Sequence, residues 1–210
     1  MEWWQILLIV LGGLLVLFVL SIIFYKPFFK RFWDIVLSGL AFLILSIALI
    51  FVSIGVFVSV GKPVLYVSKR ATKNKKTFHL LKFRSMKNIT DRDGIPLADS
   101  KRITKFGSFI RKTSLDEFPQ LINVLTGKMS LVGPRPYLPR EREDMENYYD
   151  TIIKVKPGIT GYWQIQGRSG VTFKDRLEMD RVYVEKRSLK LDAQLLIKTL
   201  IEVVKKEGAV

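Results

Sequence analysis

Hydrophobic positions dominate the start of the chain in unbroken runs and give way later to short alternating segments. Trp3 to Tyr25 carries no charge, and Ile35 to Val60 is likewise uncharged. Each run exceeds the roughly 20 residues a helix needs to cross a bilayer. A cleaved signal peptide describes the first run poorly: Glu2 stands where a basic region belongs, the run is too long, and no small-x-small site follows. After Lys62 the pattern shortens. Pro63–Val67 and Thr77–Phe83 predict two strands around the basic turn Lys73-Asn74-Lys75-Lys76. Asn88–Ser100, polar and punctuated by Asp-Gly and Ile-Pro, predicts a loop. Pro119–Leu125 predicts a short helix that Pro119 starts and Gly127 stops. Pro139–Ile153 predicts a charged helix. Leu191–Lys206 predicts an amphipathic one, with Leu195, Leu196, Leu200, Val203 and Val204 on its core face. The resulting division is a transmembrane helix over residues 1–25, an interfacial or re-entrant membrane helix over 26–61, and one further domain over 62–210. No internal repeat or low-complexity tract interrupts it.

Charge orients these segments. Lys26, Lys30 and Arg31 follow the first run, interleaved with Phe28, Phe29, Phe32 and Trp33. Basic and aromatic residues together mark a membrane interface, and the basic ones mark its cytoplasmic side. Lys62, Lys69, Arg70, Lys73, Lys75 and Lys76 follow the second run. Basic flanks at both ends satisfy the charge rule only if this segment enters and leaves by the same face. Backbone bent at membrane depth needs internal partners, and the Ser46 and Ser53 hydroxyls are candidates to supply them. The competing arrangement is an ordinary second span, with residues 26–31 outside.

Composition narrows the chemistry. The 210 residues contain no cysteine and one histidine, His79. Disulfides, thiolate nucleophiles, cysteine-ligated zinc and histidine dyads are excluded. A lone histidine is more often packed or solvated than catalytic. The formal net charge is +15, which suits anionic lipid, nucleic acid or a phosphorylated substrate. No nucleic-acid recognition module is present. Lys82, Arg84, Arg111, Arg135 and Arg168 instead occur singly in apolar or glycine/proline contexts. Isolated arginines on rigid turns suit bidentate phosphate contacts. Pro134 and Pro136 hold Arg135 in extended backbone, and Gly133 permits close approach of another group.

Against this basic background stand Asp116 and Glu117, in Ser114-Leu115-Asp116-Glu117-Phe118-Pro119. Their place before a proline-started helix puts them at the positive end of its dipole, where a carboxylate or a bound phosphate is favoured. Ser114-x-x-Glu117 also fits a capping box, with Asp116 as a dipole partner. Both uses remain open on this stretch alone.

Several blocks, in order, make the chain resemble the bacterial monotopic phosphoglycosyl transferases, also called bacterial sugar transferases or polyprenyl-phosphate glycosyl-1-phosphate transferases. They are Lys30-Arg31-Phe32-Trp33-Asp34, Lys82-Phe83-Arg84-Ser85-Met86, Arg102-Ile103-Thr104, Leu115 to Pro136, Pro157-Gly158-Ile159-Thr160-Gly161, Gly167-Arg168, Asp180-x-x-Tyr183 and Asp192. The resemblance covers Lys30 to Thr199. Two departures stand out: the Ser-Pro break of the family's membrane helix is Ser46-Ile47 here, and Ala71 to Lys76 replaces the usual glycines before Lys82.

The resemblance implies an α+β, mostly helical, membrane-anchored protein with a short β-hairpin in a cytoplasmic catalytic domain at the bacterial inner membrane. It implies transfer of a sugar 1-phosphate from a UDP-sugar to undecaprenyl phosphate, releasing UMP. Asp116 would be the nucleophile and Glu117 would hold Mg2+ with it or activate the acceptor. Lys82, Arg84, Arg111, Arg135 and Arg168 would contact phosphate, with Arg176 and Asp180 as further candidates. The lipid bilayer would be a partner, nucleic acid would not, and a homodimer stays open. Gly161-Tyr162-Trp163-Gln164 through Phe173 looks closer to members that transfer hexose 1-phosphate than to those that transfer amino sugars. An inactive scaffold of the same fold and a basic lipid anchor are the readings from other classes. The first leaves the intact Asp-Glu pair without a use, and the second leaves Gly133-Pro134-Arg135-Pro136 unexplained.

Overall fold

The computed structural model describes residues 2–25, 29–90, 95–166 and 170–205. Eight α-helices and two two-stranded sheets are found among them. Helix α1 (Trp3–Ile23) is exposed along nearly its whole apolar length, with Ser21 its single buried residue. Helix α2 (Lys30–Ser59) is a 30-residue helix without a non-helical residue. With no proline after Ser46, nothing in the sequence forces a break there. The Ser46 and Ser53 hydroxyls donate to the carbonyls of Leu43 and Leu49 inside their own helix. Both α1 and α2 are long and apolar enough to cross a membrane.

One face of α2 is gripped by the rest of the chain along its length. Near its start the Asp34 carboxylate accepts the backbone N–H of Leu131 at 3.1 Å. Arg31 donates to the carbonyls of Val124 and Leu125 at 2.5 and 2.8 Å. Near its end Val52 and Val56 are buried with Phe83 and Ile110. The opposite face, including Leu43, Ile44, Ile47, Phe51, Ile54 and Val58, is exposed.

Strands β1 (Leu65–Ala71) and β2 (Thr77–Phe83) form an antiparallel hairpin, Leu65 opposite Phe83 and Ala71 opposite Thr77. The first strand therefore lies later than the predicted Pro63–Val67. Without glycine in the turn, Asn74 and Lys75 take the positive φ themselves, at 60° each, a conformation that favours Gly or Asn. Phe78 and Leu80 of β2 point into the main core with Leu121, Val124, Met129, Leu131, Val132, Tyr183 and Leu195.

Of the predicted loop 88–100, residues 91–94 lie outside the described residues; 88–90 and 95–98 form no helix or strand beyond an isolated bridge between Thr90 and Pro96, and helices α3 (Asp99–Arg102) and α4 (Lys105–Lys112) follow. A 3-10 turn, Leu115–Glu117, precedes α5 (Gln120–Leu125), whose cap is Pro119. Gly127, at φ 77°, ends it as expected. Strand β3 (Ser130–Val132) pairs in parallel with β4 (Gly158–Thr160).

The predicted helix over 139–153 does not form. It divides into 3-10 turns at Pro139–Arg142 and Glu146–Tyr148 and the single turn α6 (Tyr149–Ile152). Glu146 has φ 44°, which interrupts helical continuation. Burial of Tyr137, Met145, Tyr149 and Ile152 against Leu177 of α7 (Phe173–Lys186) sets the segment's path. Helix α8 (Leu189–Lys205) follows the predicted span closely. Its expected core face holds at Leu195 and Leu196, but Leu200 and Val203 are exposed. The side chain of Val204 and residue 206 lie outside the described residues.

Candidate active site

Asn123 locks α5 onto the hairpin. Its amide accepts from Leu81 N at 3.0 Å and donates to His79 O at 2.9 Å. A side chain thereby continues the edge of β2 in place of a third strand. His79 contributes only backbone here, and its side chain is exposed. The docking fixes the 3-10 turn carrying Asp116 and Glu117 against β2, so that Lys82 meets Glu117 with Nζ 2.7 Å from Oε1. Ser114 has φ 56° and no side-chain capping bond; its carbonyl, not its hydroxyl, accepts from Glu117 N. The capping-box use of this stretch is therefore not realised, and neither carboxylate is consumed by a cap.

Two hollows open beside this pair, and Lys82 lies in the wall of both. Asp116 lines the larger, about 370 Å³, with Arg84, Arg102 and Arg111. Glu117 lines the smaller, about 70 Å³, with Arg70, Arg135, Gln120 and Gln164. Burial, then the neighbouring Glu117 charge, pushes the Asp116 carboxyl up to about 6, against the opposing pull of Lys82 and Arg111. Arg111 Nη1 and Gln164 Oε1 are buried without a hydrogen-bond partner. Buried polar atoms normally find partners, so these atoms mark where a polar ligand would complete the wall.

The second wall is built on close backbone contact. A Cβ on Gly133 would lie 2.6 Å from Lys156 O and 2.7 Å from Gly158 N. The partner that Gly133 admits is thus the backbone ahead of and within β4. Gly133 N donates to Thr160 O, and Gly158 N donates to Pro134 O. Asp180, fully buried, accepts from Arg135 N at 3.0 Å and Tyr137 OH at 2.8 Å. Burial pushes this carboxyl up to about 7. Asp180 therefore holds the Pro134-Arg135-Pro136 turn from beneath and does not line either hollow. The Arg135 and Arg176 guanidinium groups lie 5.5 and 4.9 Å from the Trp163 ring centroid, at cation–π distance.

The structure thus brings together Asp116, Glu117, Lys82, Arg84, Arg111 and Arg135, with Arg176 reaching Arg135 through Trp163. Arg168 lies outside the described residues. Arg70, Arg102, Gln120 and Gln164 line the hollows without having been singled out as site residues. Arg70 donates to Pro136 O at 3.2 Å, and burial beside Arg135 lowers its pKa. In sequence it merged with the run of basic residues after α2. Arg102 had a signal, the Arg102-Ile103-Thr104 block, which carried no assigned role.

The donor set also bears on a metal. Among the described residues no group of three or more His, Cys, Asp or Glu could hold one. Two adjacent carboxylates suit Mg2+, which commonly takes one or two carboxylates and completes its shell with water and substrate phosphate.

The chain is 40% identical over 199 residues to the undecaprenyl-phosphate galactose phosphotransferase of Salmonella typhimurium, covering 87% of this chain and 42% of that protein. It is 38% identical over 183 residues to the UDP-glucose:undecaprenyl-phosphate glucose-1-phosphate transferase of Escherichia coli, covering 82% and 39%. It is 36% identical over 197 residues to the exopolysaccharide production protein ExoY of Sinorhizobium fredii, covering 86% and 87%. The chain therefore spans less than half of the first two relatives. Residues 25–206 match the family described as bacterial sugar transferase, and the chain belongs to that family.

Proposed function

We propose that this chain transfers hexose 1-phosphate from a UDP-sugar to undecaprenyl phosphate, with Asp116 as a covalent nucleophile. The observation that carries the reading is the division of labour in the Asp-Glu pair. Lys82 is bonded to Glu117, while Asp116 faces the arginine-lined hollow with its carboxyl pushed up to about 6. A carboxylate so placed is basic enough to attack and is still ionised at neutral pH. The printed names of the Salmonella and E. coli relatives support a polyprenyl acceptor and a galactose or glucose donor.

An Asp116 oxygen attacks the sugar-bearing phosphorus, the bond from that phosphorus to the bridging oxygen breaks, and UMP leaves with the electron pair. An oxygen of undecaprenyl phosphate then attacks the same phosphorus and releases the carboxylate. Arg111 and Arg84 stand where they offset the charge of the transferring phosphate, and Arg70 and Arg135 flank the Glu117 side. Mg2+, held by Asp116 and Glu117, would neutralise phosphate charge. In this reading α1 spans the inner membrane, α2 lies at its cytoplasmic face, and the domain is cytoplasmic.

Purified protein given UDP-galactose or UDP-glucose labelled in the sugar, without acceptor, tests the reaction. Stoichiometric UMP release and label on a peptide containing Asp116 are expected. UMP release only after undecaprenyl phosphate is added, with no labelled peptide, would mean direct transfer between the substrates.

A further inference from the structure

Helices α1, α2 and α8 meet at a junction apart from the hollows beside Asp116 and Glu117. An apolar cavity of about 550 Å³ lies there, lined by Phe18 and Ile22 of α1, Trp33 and Leu37 of α2, and Ala193 and Leu196 of α8. Its volume is that of a small-molecule site. Lys30 and Asp34 line it too, and the same two residues line an adjoining hollow of about 280 Å³ with Arg31, Lys73, Lys156 and Arg187. An apolar chamber and a cationic one therefore share a wall.

The cations of that wall divide into used and unused. Lys30 is held by Asp34 at 3.0 Å and Asp192 at 2.7 Å. Arg31 is taken up by the carbonyls of Val124 and Leu125. Lys73, Lys156 and Arg187 form no ion pair with any described carboxylate. Burial and then the nearby Arg31 lower the pKa of Lys156, against the opposing pull of Asp34. Two buried donors are also unpartnered, Arg187 Nε in the cationic hollow and Trp33 Nε1 in the apolar one. The junction lies where the apolar length of α1 gives way to Tyr25, Lys30 and Trp33, the residue types that mark the level of lipid headgroups.

We propose that this junction is a binding site for one anionic glycerophospholipid of the surrounding bilayer. Its phosphodiester would sit among Lys73, Lys156 and Arg187, and the upper part of an acyl chain would fill the cavity beside Trp33. A free anion would leave the apolar chamber empty, and a zwitterionic lipid would leave the cations unmatched. Neither chamber shares a lining residue with the hollows beside Asp116 and Glu117, so the lipid is distinct from the substrates proposed above. The inference does not depend on that reaction.

Native mass spectrometry of the detergent-purified chain, titrated with dioleoyl phosphatidylglycerol or dioleoyl phosphatidylcholine, tests it. One saturable phosphatidylglycerol per chain is expected, retained about tenfold or more over phosphatidylcholine, since clustered cations favour a lipid of net negative charge. The double substitution Lys156→Gln, Arg187→Gln should remove the preference, whereas Lys174→Gln, Lys198→Gln on exposed positions should keep it. Ala193→Phe, which fills the cavity and leaves the charges intact, should lower retention even if the double variant folds poorly. Equal retention of the two lipids, or a preference unmoved by both site variants, would reduce the junction to ordinary lipid contact and overturn the proposal. Displacement by glycerol 3-phosphate at comparable concentration would mean a simple anion site. One-for-one displacement by undecaprenyl phosphate would make it an acceptor site. Either result also overturns it.

Discussion

Lys82 Nζ sits 2.7 Å from Glu117 Oε1, and the two side chains are 29% and 28% exposed. A pair this accessible adds little to stability, about 0–1 kcal/mol. Its consequence is electrostatic: Lys82 is also the leading cation that holds the Asp116 carboxyl down. Lys82→Met should therefore lower stability by less than about 1 kcal/mol while moving the acid limb of the pH–rate profile upward. Thermal denaturation and a pH profile of UMP release check the two halves. A large stability loss with an unmoved limb would make Lys82 a structural residue.

Asp116 itself gives a prediction in the opposite direction from a capping residue. Its folded-state carboxyl, at about 6, lies above the ordinary value of 3.8. A group raised in this way contributes stability that is full below the ordinary value and is lost as pH rises through the folded one. The ligand-free protein should lose thermal stability between about pH 4 and 7, partly through Asp116 and partly through the raised Asp180. Asp116→Asn should flatten that slope, match or exceed the wild type in stability at about pH 8, and abolish turnover. Scanning fluorimetry across pH with chelator present measures the first effects. Loss of stability in Asp116→Asn at high pH would mean that the carboxylate is held by favourable bonds.

Much of this site was legible because its motifs are local. Asp116, Glu117 and Gly127 act within one turn and one short helix, and Lys82 lies on a strand whose alternation is plain. The missed parts depend on non-local pairing. Asn123 docks α5 by imitating a strand, and no pattern in its own segment announces that. Asp180 is named in sequence as a phosphate-contact candidate, but nothing in its own segment announces that Arg135 N and Tyr137 OH reach it from 43 or more residues away. The helix expected over 139–153 is interrupted where Glu146 takes a φ of 44°, although Met145, Tyr149 and Ile152 are buried in one cluster.

Arg135 separates charge from shape. Its backbone is fixed by Asp180 and its guanidinium stacks near Trp163, 5.5 Å from the ring centroid. Arg135→Lys keeps the charge and the backbone bond but loses the planar fork. We expect stability within about 1 kcal/mol of wild type and a drop in kcat/KM of about tenfold or more. Asp180→Ala, by contrast, leaves Arg135 N and Tyr137 OH buried without an acceptor and should cost about 1–3 kcal/mol. Chemical denaturation and steady-state UMP release distinguish them, and equal destabilisation by both would place Arg135 among the structural residues.

Gly133 yields the sharpest packing test. Any side chain there meets backbone: Lys156 O at 2.6 Å and Gly158 N at 2.7 Å from an added Cβ. Backbone cannot rotate away as a side chain can, so Gly133→Ala must part the chain beyond β3 from β4 and lose the bonds from Gly133 N to Thr160 O and Gly158 N to Pro134 O. We expect more than about 2 kcal/mol of destabilisation, read as a drop in melting temperature. A variant as stable as wild type would show that the two segments separate easily.

The last prediction concerns how α2 meets the membrane. Thirty residues of helix amount to about 45 Å of rise, well over the roughly 30 Å of hydrocarbon. Yet Asp34 near its start bonds Leu131, and Val56 near its end is buried with Phe83 and Ile110 of the same domain. If α2 crossed the bilayer fully, the domain flanking both ends would have to sit inside the membrane, and its charged hollows forbid that. The exposed ridge from Leu43 to Val58 instead suits a helix lying at the interface with one side in lipid. Single cysteines can be introduced into this cysteine-free chain at Glu2, Lys26 and Lys76 and labelled in intact cells with an impermeant maleimide. Label is expected at position 2 alone. Labelling at position 26 without labelling at position 76 would establish a full second span and overturn the interfacial arrangement.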